Sequence, residues 1–159
     1  MRISRGRYAP SPTGFLHLGN ARTALAAWLH TRSQQGEFIL RIEDLDSQRS
    51  KSGYIQANIA ELKWLGLDWD QGPDVGGNYQ PYIQSQRHPY YQQALEQLKP
   101  PLFECYLSRK DLQSIASAPH EKQIVYGQQE RTLNDEIKDQ KRLENKTPSL
   151  RFRVHPQTL

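Results

Sequence analysis

Apolar residues recur at Ala21, Ala24, Leu25, Trp28 and Leu29, the i, i+3, i+4, i+7, i+8 spacing of one buried helix face. The helix this predicts opens at His17–Asn20 (HLGN), after an extended segment that turns on Pro10, Pro12 and Gly14. A short connection around Gly36 leads to the apolar run Phe38–Ile42, which ends in a carboxylate cluster, Glu43, Asp44 and Asp46. Strand, helix, strand in this order predicts a βαβ unit with a parallel sheet. Ser52 precedes a second helical pattern, with Ile55, Ile59 and Leu62 on one face and a break at Gly66. Asp70 to Pro81, rich in glycine and proline, reads as a loop. His88 and Pro89 open a third helix whose Tyr91, Ala94, Leu95 and Leu98 share a stripe. Those residues are expected in the core, as are Trp28, Trp64 and Trp69.

Pro100 and Pro101 punctuate a second zone. Leu102–Tyr106 (LFECY) reads as a strand, and Ser108 as a helix N-cap with Asp111 completing a capping box. From Glu121 to Lys146 the chain is dense in charged and amide side chains, which reads as a solvated helix or a connector. Ser149–Val154 then alternates Leu150, Phe152 and Val154 against Arg151 and Arg153, a half-buried strand with its apolar residues inward. Its arginines suit RNA phosphate or plain solubilising charge equally. There is no internal repeat and no low-complexity tract.

Composition narrows the class only a little. The 159 residues carry 21 Lys+Arg against 17 Asp+Glu, a net charge of +4, with a pI near 9.2. That mild excess fits a nucleic-acid partner without requiring one. Hydrophobic residues are 36% and mean hydropathy is −0.84, adequate for a soluble core. A single cysteine excludes an internal disulfide and fits a reducing compartment. No apolar run approaches the roughly 18 residues of a membrane span, and no apolar signal region opens the chain, so a cytoplasmic, non-membrane protein is expected.

The candidate chemistry is at the start of the first helix. His17 and Gly19 fall at its N-terminus, where unpaired N–H groups and the dipole favour an anion. Gly14 and Gly19 have the glycine spacing of a P-loop, but Asn20 and Ala21 stand where lysine and a hydroxyl residue belong, and G-x-G-x-x-G is absent. A core histidine capping the helix is the plainer alternative for His17. Arg7, just ahead of the loop, and Glu43, at the end of the neighbouring strand, lie where ligands bind in open α/β sheets. Together they would clamp a molecule bearing both carboxylate and ammonium. Asp44, Asp46 and Arg49 read as a surface ion-pair cluster.

HLGN, with APSPTG ahead of it, resembles the "HIGH" element of class I aminoacyl-tRNA synthetases, in a context similar to the glutamyl branch. RYAPSPTG, RIEDLD, ELKWLGLDWDQGP and YIQSQRHPYY are similar to successive landmarks of that family. QSQRHPYY (Gln84–Tyr91), SRKDLQ (Ser108–Gln113) and ASAPH (Ala116–His120) are similar to its shortened glutamyl-Q tRNA(Asp) synthetase branch. The likeness is dense up to Tyr91 and thinner beyond it. It implies an α/β fold: the N-terminal half of a Rossmann-like class I nucleotide-binding domain over residues 1–101, then the start of an inserted α+β acceptor-type subdomain over 102–159. It implies ATP with magnesium, and His17 as the catalytic residue donating to phosphate as the glutamate carboxylate attacks the α-phosphorus. Thr13, Gly14, His17, Gly19 and Asn20 would bind ATP. Arg7 would take the glutamate side-chain carboxylate, Glu43 its ammonium, and Tyr8, Ala9, Pro10 and Ser11 would line the pocket. The implied partners are glutamate and tRNA, tRNA(Asp) first, the glutamyl group passing to its queuosine.

Two departures qualify that picture. Where the branch has a zinc pattern of cysteines and a tyrosine, this chain has Cys105, then Leu107, Tyr126 and Glu130. Leu107 supplies no ligand to a closed tetrahedron, so zinc is doubtful and Cys105 reads as a small buried hydrophobe. The second departure is a missing KMSKS-type lysine loop. The chain is therefore expected to be incomplete for catalysis and inactive alone, with an exposed sheet edge. A truncated discriminating glutamyl-tRNA synthetase and a non-catalytic nucleotide- or tRNA-binding remnant stand as alternatives.

Overall fold

The computed structural model describes residues 4–98, 102–108, 110–112 and 128–153, without the side chains of 128–130. Pro100–Pro101, Ala116–His120, Tyr126, the side chain of Glu130 and Val154 lie outside the described residues. The chain forms two compact units, Met1–Gln93 and Ala94–Leu159.

In the first unit β1 (Arg5–Tyr8) pairs in parallel with β2 (Glu37–Leu40), joined by α1 (Leu18–Ser33). The ladder runs on past both strands: the Arg41 N–H donates to the Tyr8 carbonyl (3.0 Å) and the Glu43 N–H to that of Pro10 (2.9 Å). On the other side of β2 the Leu40 N–H donates to the Gln71 carbonyl (2.9 Å) and the Ile42 N–H to that of Tyr82 (2.8 Å). The sequence read as a loop from Asp70 to Pro81 therefore begins and ends by bonding to the sheet, and β2 is central. Its glycines and prolines shape the excursion in between; Gly72 and Gly76 bond to each other across it at 2.9 Å in both directions.

Alternation along the strands sends Tyr8, Phe38 and Leu40 to one face, where they pack with Ala24 of α1, Ile59 and Leu62 of α2 (Ser52–Trp64), and Leu67 and Trp69. Each large aliphatic or aromatic side chain buried there contributes about 1.5–3 kcal/mol. Gly66, at φ +78°, ends α2 as the sequence suggests.

The rotation of α1 differs from the expectation. Its inward residues are Ala24 and Thr31, flanked by Ala27 and Trp28, while Leu25 and Leu29 are 46% and 52% exposed. Close approach decides this, because α1 rests on β1 where Gly6 meets Thr31, and only small side chains fit that contact. Trp28 and Arg32 then pin the helix to the chain after α2. The Trp28 Nε1–H donates to Asp68 Oδ1 at 2.7 Å, and Arg32 bridges Asp68 at 2.9 Å and Asp70 at 2.7 Å. Trp64 is also outside the core, at 84% exposure. α3 (His88–Leu98) has no buried residue, so the stripe of Tyr91, Ala94, Leu95 and Leu98 is not core either. Asp46 and Arg49 form the expected surface pair at 2.6 Å. Asp44 does not join them; it accepts from the Ser85 N–H (2.8 Å) and Oγ (2.5 Å) and fastens the 3-10 turn Gln84–Arg87.

In the second unit β3 (Leu102–Cys105) pairs antiparallel with β4 (Ser149–Phe152), beside α4 (Gln128–Leu143). Cys105, Leu107 and Leu112 form its buried cluster, with Phe103, Leu133 and Ile137 against it. Cys105 and Leu107 are thus both packing residues. Ser108 and Asp111 make the expected reciprocal cap, at 2.7 and 3.2 Å. The buried Asn134 ties α4 to β3, accepting from the Tyr106 N–H (2.8 Å) and donating to the Glu104 carbonyl (3.0 Å). Leu150 and Phe152 reverse the expectation, being 50% and 51% exposed. Register is the reason: Phe103 and Cys105, which face α4, stand opposite Arg151 and Ser149, so Leu150 and Phe152 fall on the other face.

A Cβ on Gly6 would lie 1.8 Å from the Thr31 Oγ1 and 2.9 Å from its Cβ. Gly6→Ala is expected to destabilise the protein by about 1–3 kcal/mol in denaturant unfolding. Adding Thr31→Ala, which removes the nearer atom, should recover part of that loss. Equal stability of Gly6→Ala and the parent would contradict this packing.

Candidate functional site

The chain leaves β1 at Tyr8 and reaches α1 through a loop whose last residue is His17. His17 is extended (φ −96°, ψ 169°) and is the N-cap of α1. Its Nδ1 accepts from the Gly19 N–H at 3.0 Å, and the Asn20 Oδ1 accepts from the His17 N–H at 3.3 Å, a reciprocal capping box. A nitrogen that accepts from an amide carries no proton, so this bond assigns the neutral ring's proton to Nε2. The cap therefore leaves Nε2–H as the group His17 can offer a ligand, beside the positive end of the α1 dipole, since the His17, Gly19 and Asn20 N–H groups are already bonded.

Around His17 is a cleft of about 500 Å³. Of the residues expected to bind a ligand, it brings together Tyr8, Ala9, Pro10, Ser11, Thr13, Gly14, His17 and Asn20. Three more line it that the sequence reading missed, Phe15, Leu16 and Asn58. Asn58 is a polar residue 1% exposed beside the apolar stripe of α2, a burial that the sequence alone does not disclose. The Tyr8 Oη is buried with no hydrogen bond of good geometry, the Asn20 side chain lying beside it. Burial pushes its pKa up, and Asn20 opposes. A buried hydroxyl so weakly held in the wall of a cleft fits a polar occupant.

Gly19, Arg7 and Glu43 do not line this cleft. Gly19 serves through its N–H to His17. Arg7 stands opposite Ile39 in the ladder, so alternation puts it, with Glu43, on the sheet face away from Tyr8 and Leu40. The Arg41 Nε donates to Glu43 Oε1 at 2.6 Å, and Arg41 was not anticipated as the partner of that carboxylate.

The second unit has its own cleft of about 510 Å³, lined by Arg131, Lys138, Arg142 and Arg153 along with Glu104 and Asp135. Arg142 pairs with Glu104 at 2.6 Å, a contact that raises its pKa, and Arg153 lies over the Phe103 ring at 5.9 Å. Among the described residues no three His, Cys, Asp or Glu side chains gather as a metal site. No described helix is long and apolar enough to cross a membrane.

The family model for tRNA synthetases class I (E and Q), catalytic domain, matches residues 4–158. A glutamyl-Q tRNA(Asp) synthetase of Symbiobacterium thermophilum is 53% identical over 152 residues, covering 92% of this chain and 47% of that protein. A glutamate–tRNA ligase of Bacillus velezensis is 44% identical, covering 94% of this chain and 32% of that protein. Among solved structures, the glutamate–tRNA synthetase of Elizabethkingia anophelis superposes with a TM-score of 0.78 at 32% identity, over 99% of this chain and 34% of its own. The chain thus spans about half the length of the first relative and a third of the other two.

The cap makes a prediction of its own. His17→Ala removes the acceptor for the Gly19 N–H and is expected to cost about 1 kcal/mol in thermal or denaturant unfolding. His17→Asn restores a capping oxygen and should melt close to the parent. Equal losses in both variants would show that the ring, not the cap, carries the stability.

Proposed function

The chain belongs to the class I tRNA synthetases (E and Q), and from that premise we propose that it binds ATP and glutamate for formation of glutamyl adenylate. In the same proposal the glutamyl group then passes to the queuosine of tRNA(Asp). The observation that carries the first step is His17, an N-cap whose tautomer leaves Nε2–H as donor at a helix terminus within a cleft. Phosphate oxygens placed there would meet the α1 dipole, the loop around Gly14 and the Nε2–H together. Charge developing as pyrophosphate departs is stabilised by donors already aimed at it, usually the largest electrostatic contribution. Magnesium would enter on the ATP phosphates and neutralise part of their charge.

Arg7 is assigned to the side-chain carboxylate of glutamate, by a planar fork that carboxylates match. Glu43 is assigned to the ammonium group. Its ion pair with Arg41 occupies only part of a carboxylate that has about four lone-pair sites, so an ammonium is accommodated on the remainder. The queuosine branch rests on the Gln84–Tyr91 block and on 53% identity to a protein of that name, against 44% to a glutamate–tRNA ligase. The second reading, an ordinary glutamate–tRNA ligase, draws on the latter relative and on the structural likeness. Labelled glutamate offered to queuosine-bearing tRNA(Asp) and to tRNA(Glu) separates the two.

ATP is expected to bind the chain in calorimetry. His17→Asn, which keeps the cap and loses the Nε2 donor, should weaken that binding by about 1–3 kcal/mol. Unchanged affinity in a folded variant would remove His17 from the site.

Glutamate is expected to outcompete glutamine in ATP–pyrophosphate exchange, measured on a form extended to the length of the relatives. A neutral amide would leave Arg7 desolvated and unpaired, a penalty of about 1–3 kcal/mol or more. Equal exchange with both amino acids would show that Arg7 does not read the side chain.

A further inference from the structure

Resting on the ATP reading above, we propose that Asn58 and Glu61 of α2 are positioning residues: they act through the Pro12–His17 loop and set its backbone in the shape that receives phosphate. The loop lies outside the sheet ladder from Ser11 onward, so its polar groups need partners elsewhere. α2 provides them along one stripe. The Lys51 N–H, at the helix N-cap, donates to the Pro12 carbonyl at 3.1 Å. Three residues on, the Tyr54 ring meets Phe15 edge-on, centroids 5.4 Å apart. The Asn58 amide faces two carbonyls, so its NH2 group is turned to them, donating to Gly14 at 3.0 Å and to Tyr54 at 3.2 Å. One turn further, Glu61 Oε2 accepts from the Leu16 N–H at 2.9 Å.

Positions 51, 54, 58 and 61 follow helical spacing and run beside the stripe of Ile55, Ile59 and Leu62 that packs into the core. One stripe of α2 therefore holds the fold, and its neighbour holds the loop. A buried amide is a poor packing residue; Asn58 is favourable only because both carbonyls it faces are bonded. The bond also orients the loop chemically. A planar trans peptide carries its C=O and N–H on opposite sides, so drawing the Gly14 carbonyl to Asn58 turns the Phe15 N–H away from it, as a donor for the anion.

The test is calorimetric titration of the 159-residue chain with ATP and magnesium, using the parent, Asn58→Ala, Glu61→Ala and Glu61→Gln. Thermal melting and hydrogen exchange at the Leu16 amide are read on the same samples. Glu61→Ala is expected to weaken ATP about tenfold and to speed exchange at Leu16, while staying folded with a modestly lowered melting temperature. Glu61→Gln keeps an acceptor oxygen and should return affinity to within about twofold. Glutamate affinity should be unchanged in the two Glu61 variants. If the parent binds ATP and both alanine variants bind it equally while folded, this inference falls and the ATP reading stands. Loss in Glu61→Ala that glutamine does not rescue also overturns it. A parent that binds no ATP sinks the ATP reading, and this inference with it. If Asn58→Ala does not fold, the two Glu61 variants decide.

Discussion

A loop that lines a cleft outside the sheet ladder cannot satisfy its backbone by itself, and the first unit is organised around this constraint. Between Pro10 and His17 the hydrogen bonds come from outside the loop on two sides. Glu43, continuing β2, donates to the Pro10 carbonyl, and Lys51, Asn58 and Glu61 serve Pro12, Gly14 and Leu16 from α2. Within the loop itself only the Thr13 N–H to Ser11 carbonyl bond, 2.9 Å, makes a local turn. The sheet and α2 thus determine where the N-terminus of α1 opens, and α1 fixes how His17 is presented there.

Magnitudes rank these contributions. The cap at His17 is worth about 1 kcal/mol, and the dipole of α1 acts on an exposed terminus where such effects are about 0.3–1 kcal/mol. A buried carbonyl left without its donor costs about 1–3 kcal/mol. Around Gly14 the shape of the loop is therefore governed more by its buried partner Asn58 than by the helix that follows it. The cap's larger consequence is chemical. Capping histidine and phosphate-facing histidine are commonly weighed as rival readings; here the bond that makes His17 a cap is the one that places its proton on Nε2.

What could be read from the sequence was whatever is set by neighbours along the chain. The strand–helix–strand order, the N-terminus of α1 at His17, the apolar stripe of α2 and the Ser108–Asp111 cap are all local patterns, and the structure contains each of them. Several of the departures involve a distant partner. Leu25 and Leu29 have helical periodicity, but the Gly6–Thr31 contact chooses the inward side of α1. Leu150 and Phe152 alternate correctly, yet pairing with β3 decides which face meets α4. Asp44 looked like a surface charge because Ser85, its partner, is 41 residues away. For the site, the motif named the cleft residues contributed by the loop except Phe15 and Leu16. Asn58 escaped it because its role is defined by the carbonyl of Gly14, which no local pattern on α2 reveals.

The pleat of β1 links the two halves of the proposed chemistry. Successive residues of a strand point to opposite faces, so Arg7 and Tyr8 are adjacent in sequence and separated by the thickness of one strand. Tyr8 and the residues after it enter the cleft beside His17, whereas Arg7 shares the far face with Glu43 and Arg41. An amino acid held by its side chain at Arg7 would have to pass its α-carboxylate around the strand end to reach an α-phosphorus at α1. The regular strand ends at Tyr8, and the ladder runs on to Pro10, whose carbonyl accepts from the Glu43 N–H. Ala9 and Ser11, next along the chain in the cleft wall, add little side-chain bulk there. In the proposed reading, one strand end therefore separates amino-acid recognition from phosphate recognition while keeping the two reacting groups within reach.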